Sequence, residues 1–115
     1  MIDARDRARL SDMLSYAKDA LELLGDADAA ALAADKMRRY AVTRAAEIVG
    51  EAASQVSELG RGACPTIPWS GAISTRNRLI HAYRGLDLSV LVSTVREDFP
   101  PLIAELERLL GDGTQ

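Results

Sequence analysis

The sequence has little of what builds disulfides, metal sites or sheets. Its 115 residues include one cysteine, Cys64, and one histidine, and only 4% are aromatic. One cysteine excludes an internal disulfide, and no His/Cys cluster or spaced acidic cluster gives a metal signature. Alanine and leucine fill most apolar positions, which favours helices over sheets. We therefore expect a single all-α domain over residues 1–115, with no bound metal.

Long apolar runs and a targeting segment are also missing. No stretch approaches the ~18 apolar residues of a membrane span. The first six residues carry alternating charge instead of a basic start followed by an apolar run. These two absences predict a cytoplasmic protein without a membrane partner.

Two stretches contain no acidic residue. The net charge is −3, which argues against a protein that coats nucleic acid with its whole surface. The longer stretch, Leu59 to Leu86, holds Arg61, Arg76, Arg78 and Arg84. The shorter one, ahead of Glu47, holds Lys36, Arg38, Arg39 and Arg44. This distribution predicts a local basic cleft on an acidic body.

Apolar spacing predicts a bundle of four to five helices. The first runs from about Asp3 to Leu24 and ends at Gly25. The second runs from near Asp28 to about Leu59, with room for a break around Ala34 and Asp35, and Gly60 is its stop. Its predicted apolar face contains Met37, Ala41, Ala45, Ile48, Ala52, Val56 and Leu59.

The remaining helices follow from glycine and proline positions. Two glycines and two prolines between Gly60 and Pro68 predict a loop. A third helix should start at Pro68 or Trp69, reach Tyr83 and stop at Gly85. Asp87 is the predicted cap of a fourth helix. Pro100 and Pro101 belong in the first turn of a last helix, capped by Asp98 and ending at Leu110.

The lone histidine lies in the octet Arg76-Asn77-Arg78-Leu79-Ile80-His81-Ala82-Tyr83. Imidazole can take and give a proton near pH 7, and guanidinium can hold a phosphate with two parallel hydrogen bonds. Asn77 and His81 are four apart and share a helix face, so the amide could orient the imidazole. This grouping suits phosphodiester cleavage, in which an RNA 2′-hydroxyl attacks the neighbouring phosphorus.

One histidine per chain cannot be acid and base at once. Two copies related by a two-fold axis could divide the roles, while arginines stabilise the charge on the transition state. Arg76 and His81 also point about 140° apart around the helix axis, so the two side chains of one chain do not readily reach the same phosphate. A second subunit would ease this difficulty. The octet thus predicts a homodimeric active site.

Arg76 and His81 match the R-x4-6-H signature, so the chain resembles the HEPN ribonucleases. With Tyr83 the pattern is similar to the Arg-x4-His-x-Tyr of HepT, the toxin of HepT/MntA pairs. Other segments resemble HepT positions in the family's order and span about Leu32 to Leu110: Asp35-Lys36-Met37, Glu47 to Ala52, Ile67-Pro68-Trp69, Gly85-Leu86-Asp87 and Asp98-Phe99-Pro100.

The resemblance implies a HEPN-type helical homodimer with metal-independent endoribonuclease activity on tRNA or mRNA. It also implies a toxin–antitoxin partner, a MntA-like nucleotidyltransferase that inhibits the toxin by transferring AMP to Tyr83. In this interpretation Arg76, Asn77 and His81 are catalytic, whereas Arg78 and Arg84 attract RNA.

Structural roles compete with each of these assignments. His81 could be an interface histidine, Arg76 an ion-pair partner of Glu47 or Glu51, Asn77 a helix cap and Tyr83 a half-buried aromatic. Trp69 is interpreted as a core or loop anchor. For the whole chain the alternatives are a HEPN subunit that presents substrate to a nucleotidyltransferase without cutting RNA, and a plain structural dimer.

Overall fold

The fold is built from four long helices and three short ones in the described part of the chain. A computed structural model describes residues 2–85 and 87–111, with the backbone alone described for residues 80–85. The long helices are α1 (Ala4–Leu24), α3 (Lys36–Ser54), α5 (Trp69–Gly85) and α7 (Phe99–Leu110). The short ones are α2 (Ala29–Ala34), α4 (Glu58–Ala63) and α6 (Leu88–Ser93), and a π-helical turn over Thr94–Asp98 joins α6 to α7. The predicted all-α class is confirmed.

Helix α1 begins and ends where the sequence predicts. The Asp3 side chain accepts a hydrogen bond from the Asp6 backbone N–H at 2.8 Å, which caps the first turn. Gly25 ends the helix at a positive φ of 56°, a conformation that favours glycine. The buried side chains recur at spacings of three and four, and they include Leu10, Met13, Leu14, Ala17 and Leu24.

The second predicted helix is three helices. Asp35 ends α2 and caps α3, since its carboxylate accepts from the Arg38 backbone N–H at 3.1 Å. The predicted stop at Gly60 is wrong, because α4 continues through Gly60 to Ala63. The predicted loop is confirmed only for residues 64–68, which connect α4 to α5. The Ser57 side chain caps α4 by accepting from the Gly60 N–H at 3.0 Å. This local hydrogen bond outweighs the low helix propensity of glycine.

The predicted apolar face of the second segment is partly wrong. Met37 is 83% exposed and Leu59 is 84% exposed. Ala45, Ala52 and Val56 are buried as predicted, but the rest of the buried stripe is shifted to Val42, Ala46, Val49 and Ala53. The prediction failed because one helical period was carried through Asp35 and Gln55, where the chain changes direction.

The end of the bundle confirms one predicted cap and corrects another. Asp87 caps α6 by accepting from the Ser89 N–H at 3.1 Å. Asp98 makes no capping bond, because its backbone is already helical at φ −88° and ψ −34°. The chain widens into the π-helical turn directly before Pro100 and Pro101, which have no N–H to donate.

Helix α3 lies at the centre of the arrangement. It packs against α1 on one side and α5 on the other, and α7 returns onto α1. Among the described residues, the buried core consists mainly of alanine and branched aliphatic side chains, together with Met13, Cys64 and Phe99. None of the described helices is both long and apolar enough to cross a membrane.

Arginines close the carboxyl ends of several helices. Arg7 donates to the Leu110 carbonyl at 3.0 Å, Arg39 to Ala33 at 2.8 Å, and Arg96 to Gly25 at 2.7 Å. Arg61 donates to the carbonyl of Val56 at 3.1 Å, just beyond α3. These bonds satisfy carbonyls at the end of a helix or just beyond it, which have no partner within the helix. Arg61 and Arg39, which belong to the two basic stretches, therefore have structural roles.

Candidate functional site

The octet lies on a single uninterrupted helix. Helix α5 runs from Trp69 to Gly85, as predicted, so Asn77 and His81 are one helical turn apart on its backbone. The side chains of His81, Tyr83 and Arg84 lie outside the described residues, so their predicted roles stay predictions. The described part of the site consists of Arg76, Asn77, Arg78 and the residues that contact them.

The loop before α5 is held by Trp69. Its indole N–H donates to the carbonyl oxygens of Arg61 at 3.2 Å and Cys64 at 3.0 Å. Trp69 is therefore a loop anchor, which confirms the structural interpretation. Cys64 is buried beside it, and burial raises the pKa of its thiol.

Arg76 lies at the crossing of α5 with α3. Its Nε is 3.5 Å from Oε2 of Glu51, with the Arg76 side chain 47% exposed and that of Glu51 34% exposed. Glu51 is thus the ion-pair partner anticipated as the alternative role of Arg76. Because the contact is made through Nε, it is compatible with phosphate binding by the terminal nitrogens.

A second arginine completes this network, and the sequence indicated only that it belongs to the shorter basic stretch, with no link to Arg76. Arg44 Nη1 lies 3.2 Å from Glu51 Oε2 and 3.4 Å from Glu47 Oε1. Hydrogen bonding to Glu51 and Glu47 raises the pKa of Arg44, which stays charged. The i, i+3 and i, i+7 spacings to two glutamates were the signal that could have found it.

Gly50 determines how closely Arg76 approaches α3. A Cβ atom at position 50 would lie 2.8 Å from the Arg76 backbone nitrogen and 3.0 Å from its Cβ. These atoms belong to the α5 backbone or are directly attached to it, so they cannot move aside as a flexible side chain would. Glycine at this position therefore permits the crossing that places Arg76 beside Glu51.

Arg78 occupies a different side of α5. Two residues of helix turn it about 200° away from Arg76. It donates to Thr75 Oγ1 at 3.2 Å and lies 3.9 Å from Asp98 Oδ2. It lines a cavity of about 310 Å³ between α5 and the start of α7, with Thr75, Asp98, Phe99 and Leu102 among the other lining residues. Arg76 and Arg78 therefore do not converge on one point.

Asn77 is exposed in the middle of α5, eight residues after the helix begins. A helix cap is therefore not its role. Its proposed contact with His81 is not among the described contacts and stays a prediction.

The two basic stretches contain no acidic residue in the sequence, but acidic residues from other segments lie beside them in the folded chain. Folding brings Glu51 to Arg76 and Asp98 to Arg78. Within the described residues, no group of three or more His, Cys, Asp or Glu side chains is placed to hold a metal ion.

Comparison with known proteins identifies the family. The model of the ribonuclease HepT-like family matches residues 13–109. The chain belongs to the HepT-like ribonucleases. "Putative RNase MJ1380" of Methanocaldococcus jannaschii is 41% identical over 101 residues, covering 88% of this chain and 93% of the relative. "Probable ribonuclease HepT" of Thermococcus cleftensis is 44% identical over 75 residues, or 65% of this chain and 68% of the relative. No solved structure gives a significant match.

Membership confirms the resemblance inferred from the octet. The matched region of this HepT-like chain contains α3, α5 and all of α7 except its last residue, and with them Arg76 and His81. Its helical architecture is the one that the resemblance implies.

Proposed function

We propose that the chain is a metal-independent endoribonuclease and the toxin of a toxin–antitoxin pair, acting on tRNA or mRNA in the cytoplasm. The observation that carries this proposal is the intact Arg76/His81 pair on an uninterrupted helix of a HepT-like ribonuclease. The exposed Arg76 guanidinium supports it, since Glu51 orients Nε on one side only.

The proposed chemistry uses groups from two subunits of a homodimer. One neutral imidazole of His81 takes the proton of the RNA 2′-hydroxyl, and the 2′-oxygen bonds to phosphorus. The bond from phosphorus to the 5′-oxygen breaks, and the protonated His81 of the partner subunit gives that oxygen its proton. The products are a 2′,3′-cyclic phosphate and a 5′-hydroxyl. Arg76 stabilises the charge on the equatorial oxygens, and Asn77 holds the imidazole tautomer.

Replacement of His81 tests the catalytic assignment. The rate of RNA cleavage by His81→Ala should fall by ~10² to 10⁴, as expected for loss of a general acid or base. Arg76→Ala should also lower the rate, and cleavage by the wild type should persist in EDTA. Circular dichroism melting curves control for folding. Cleavage by His81→Ala at the wild-type rate, or strict dependence on added divalent metal, would contradict the mechanism.

Inhibition by a MntA-like nucleotidyltransferase is the proposed regulation. The Tyr83 oxygen attacks the α-phosphorus of ATP, pyrophosphate leaves, and the tyrosyl proton is released. The added bulk and negative charge would repel RNA phosphates. Mass spectrometry after incubation with the nucleotidyltransferase and ATP should show added AMP in the wild type and none in Tyr83→Phe. An adduct that persists in Tyr83→Phe would contradict this assignment.

A second candidate is the non-catalytic adaptor that presents substrate to a nucleotidyltransferase. The pairing of Arg76 with Glu51 and of Arg78 with Asp98 favours it, because paired guanidinium groups bind phosphate less strongly. RNA cleavage that is abolished by His81→Ala decides for the ribonuclease. RNA that stays intact with purified wild-type protein decides for the adaptor.

A further inference from the structure

An aromatic side chain is exposed on the basic part of α3. Tyr40 is 49% exposed, whereas Phe99 is buried and Trp69 and Tyr16 are partly buried. An exposed tyrosine in a surface of cations is a feature of single-strand binding sites, where bases stack on rings and cations contact phosphates.

Two cations lie over the Tyr40 ring. Lys36 Nζ lies 5.9 Å from the ring centroid and Arg39 Cζ lies 5.4 Å from it. Arg39 is anchored, because it also donates to the carbonyl of Ala33 at 2.8 Å. Lys36 carries an exposed positive charge one turn before Tyr40. This arrangement holds the ring in a field that attracts phosphate.

The ring borders a cleft. Tyr40, Thr43, Arg44 and Glu47 line a concave region of about 330 Å³. Thr43 Oγ1 is engaged with the Arg39 carbonyl at 2.7 Å. The Glu47 carboxylate can accept hydrogen bonds from base amino groups, as carboxylates do for cytosine N4. The cleft therefore offers an aromatic surface, a cation and an acceptor together.

The cleft leads to the candidate catalytic arginine. Tyr40, Arg44, Glu47 and Glu51 follow one another at spacings of four, three and four, so they form one stripe along α3. Arg44 joins Glu47 to Glu51, and Glu51 contacts Arg76. From Tyr40 to Glu51 the stripe is about 16 Å long at 1.5 Å per residue.

We propose that this α3 stripe is a binding site for single-stranded RNA, in which one unpaired base stacks on Tyr40 and Lys36 contacts the backbone. The inference rests on the proposed function, since the stripe would hold RNA whose scissile phosphate lies at Arg76. The stripe itself carries one arginine and two carboxylates, but Lys36, Arg39 and Arg76 lie beside it, so four cations face two carboxylates and the surface as a whole is positive. Met37, which is exposed one turn before Tyr40, is the other large apolar side chain exposed on the described part of α3. Two such side chains among cations form no continuous apolar surface, so single-stranded RNA fits better than a protein.

Binding is measured without cleavage in a His81→Ala background. The probe is a fluorescein-labelled single-stranded oligoribonucleotide of about 12 nucleotides, within the usual range of single-strand sites. Tyr40→Ala should weaken binding about 5- to 100-fold, because stacking of one base is lost. Tyr40→Phe retains the ring and should bind as the parent does. Leu59→Ala, at an exposed residue of α4, is the matched control and should change nothing.

Salt dependence tests the phosphate contact separately. Lys36→Gln should reduce the slope of log affinity against log salt by about 0.7, the value for one phosphate contact on a single strand. Tyr40→Ala should leave that slope unchanged. The chain's other lysine, Lys18, is paired with Glu107 at 3.0 Å, so Lys18→Gln is the matched control.

Several outcomes would overturn the RNA site. These are unchanged affinity of Tyr40→Ala, equal weakening by Tyr40→Phe, and equal weakening of binding to duplex RNA, whose bases are already stacked. A change of molar mass in Tyr40→Ala, seen by light scattering, would show a subunit interface instead. Since binding is measured without cutting, failure here is distinct from failure of the ribonuclease activity itself.

Discussion

Arg76 takes part in both the fold and the proposed chemistry. Its contact with Glu51 is between partly exposed groups, and such ion pairs contribute only about 0–1 kcal/mol to stability. The value of the pair therefore lies in orientation. Glu51 holds Nε on the α3 side, Arg44 contacts Glu51 from the other side of the network, and the terminal nitrogens of Arg76 are available to a phosphate.

Asp6 is the buried acidic residue of the described structure, and it joins α1 to α4. Its carboxylate accepts from the Ser57 N–H at 2.9 Å and from the Ser57 hydroxyl at 2.5 Å. Hydrogen bonding to the Ser57 side chain, and then to its backbone, lowers the pKa of Asp6. Since the native pKa lies below the unfolded value, this carboxylate stabilises the fold above the unfolded pKa and loses that effect as pH falls.

Asp6→Asn should therefore lower the free energy of unfolding at pH 7. The difference from wild type should be full above pH about 5 and shrink as pH falls below about 4, where the wild-type carboxyl also takes up a proton. Urea unfolding at several pH values measures it. Asp19→Asn, at an exposed residue of the same helix, is the control. A difference that stays constant from pH 7 to pH 3 would show that charge is not the cause.

At the scale of helices, capping residues predicted the helix boundaries better than the spacing of apolar residues did. Asp3 and Gly25 marked the two ends of α1, and Asp87 marked the start of α6. These boundaries could be predicted because a cap depends only on neighbouring residues. The prediction missed the continuation of α4 through Gly60 because it took glycine as a stop, although Ser57 three residues earlier is a local cap signal. The contact of Ser57 with Asp6, 51 residues away, could not be predicted.

For the candidate site, the sequence predicted the helix and its polar residues but not the residues that contact them. The octet identified α5 and its polar residues, since composition and spacing are local properties. The partners of Arg76 and Arg78 come from α3 and the π-helical turn. The spacing of apolar residues predicts helices but not which helix faces pack together. From the sequence, Glu47 and Glu51 were therefore equally good candidates for the ion-pair partner of Arg76.

The crossing of α3 and α5 is sensitive to side-chain size at Gly50. In Gly50→Ala the new methyl group would press on the Arg76 backbone, and we expect a loss of about 1–3 kcal/mol in the free energy of unfolding. Cleavage should also weaken, because Arg76 is displaced. Chemical denaturation and a cleavage assay measure the two effects.

Gly71→Ala is the matched control for the crossing. Gly71 lies in α5, and a Cβ atom at this position would have no neighbouring atom within 4 Å. Alanine there should therefore stabilise the helix by about 0.5–1 kcal/mol. Equal destabilisation by both substitutions would refute the close-packing explanation for Gly50.

At the scale of the whole molecule, the proposed mechanism requires two imidazoles from two chains. Coexpression of wild-type and His81→Ala chains with different tags allows dimers with one imidazole to be isolated by two affinity steps. Such a dimer should cleave RNA ~10²- to 10⁴-fold more slowly than wild type, since either the acid or the base is missing. A dimer of two differently tagged wild-type chains is the control. If the mixed dimer retains about half of the wild-type rate, each chain works alone, and if no mixed dimer can be isolated, the site is not shared between subunits.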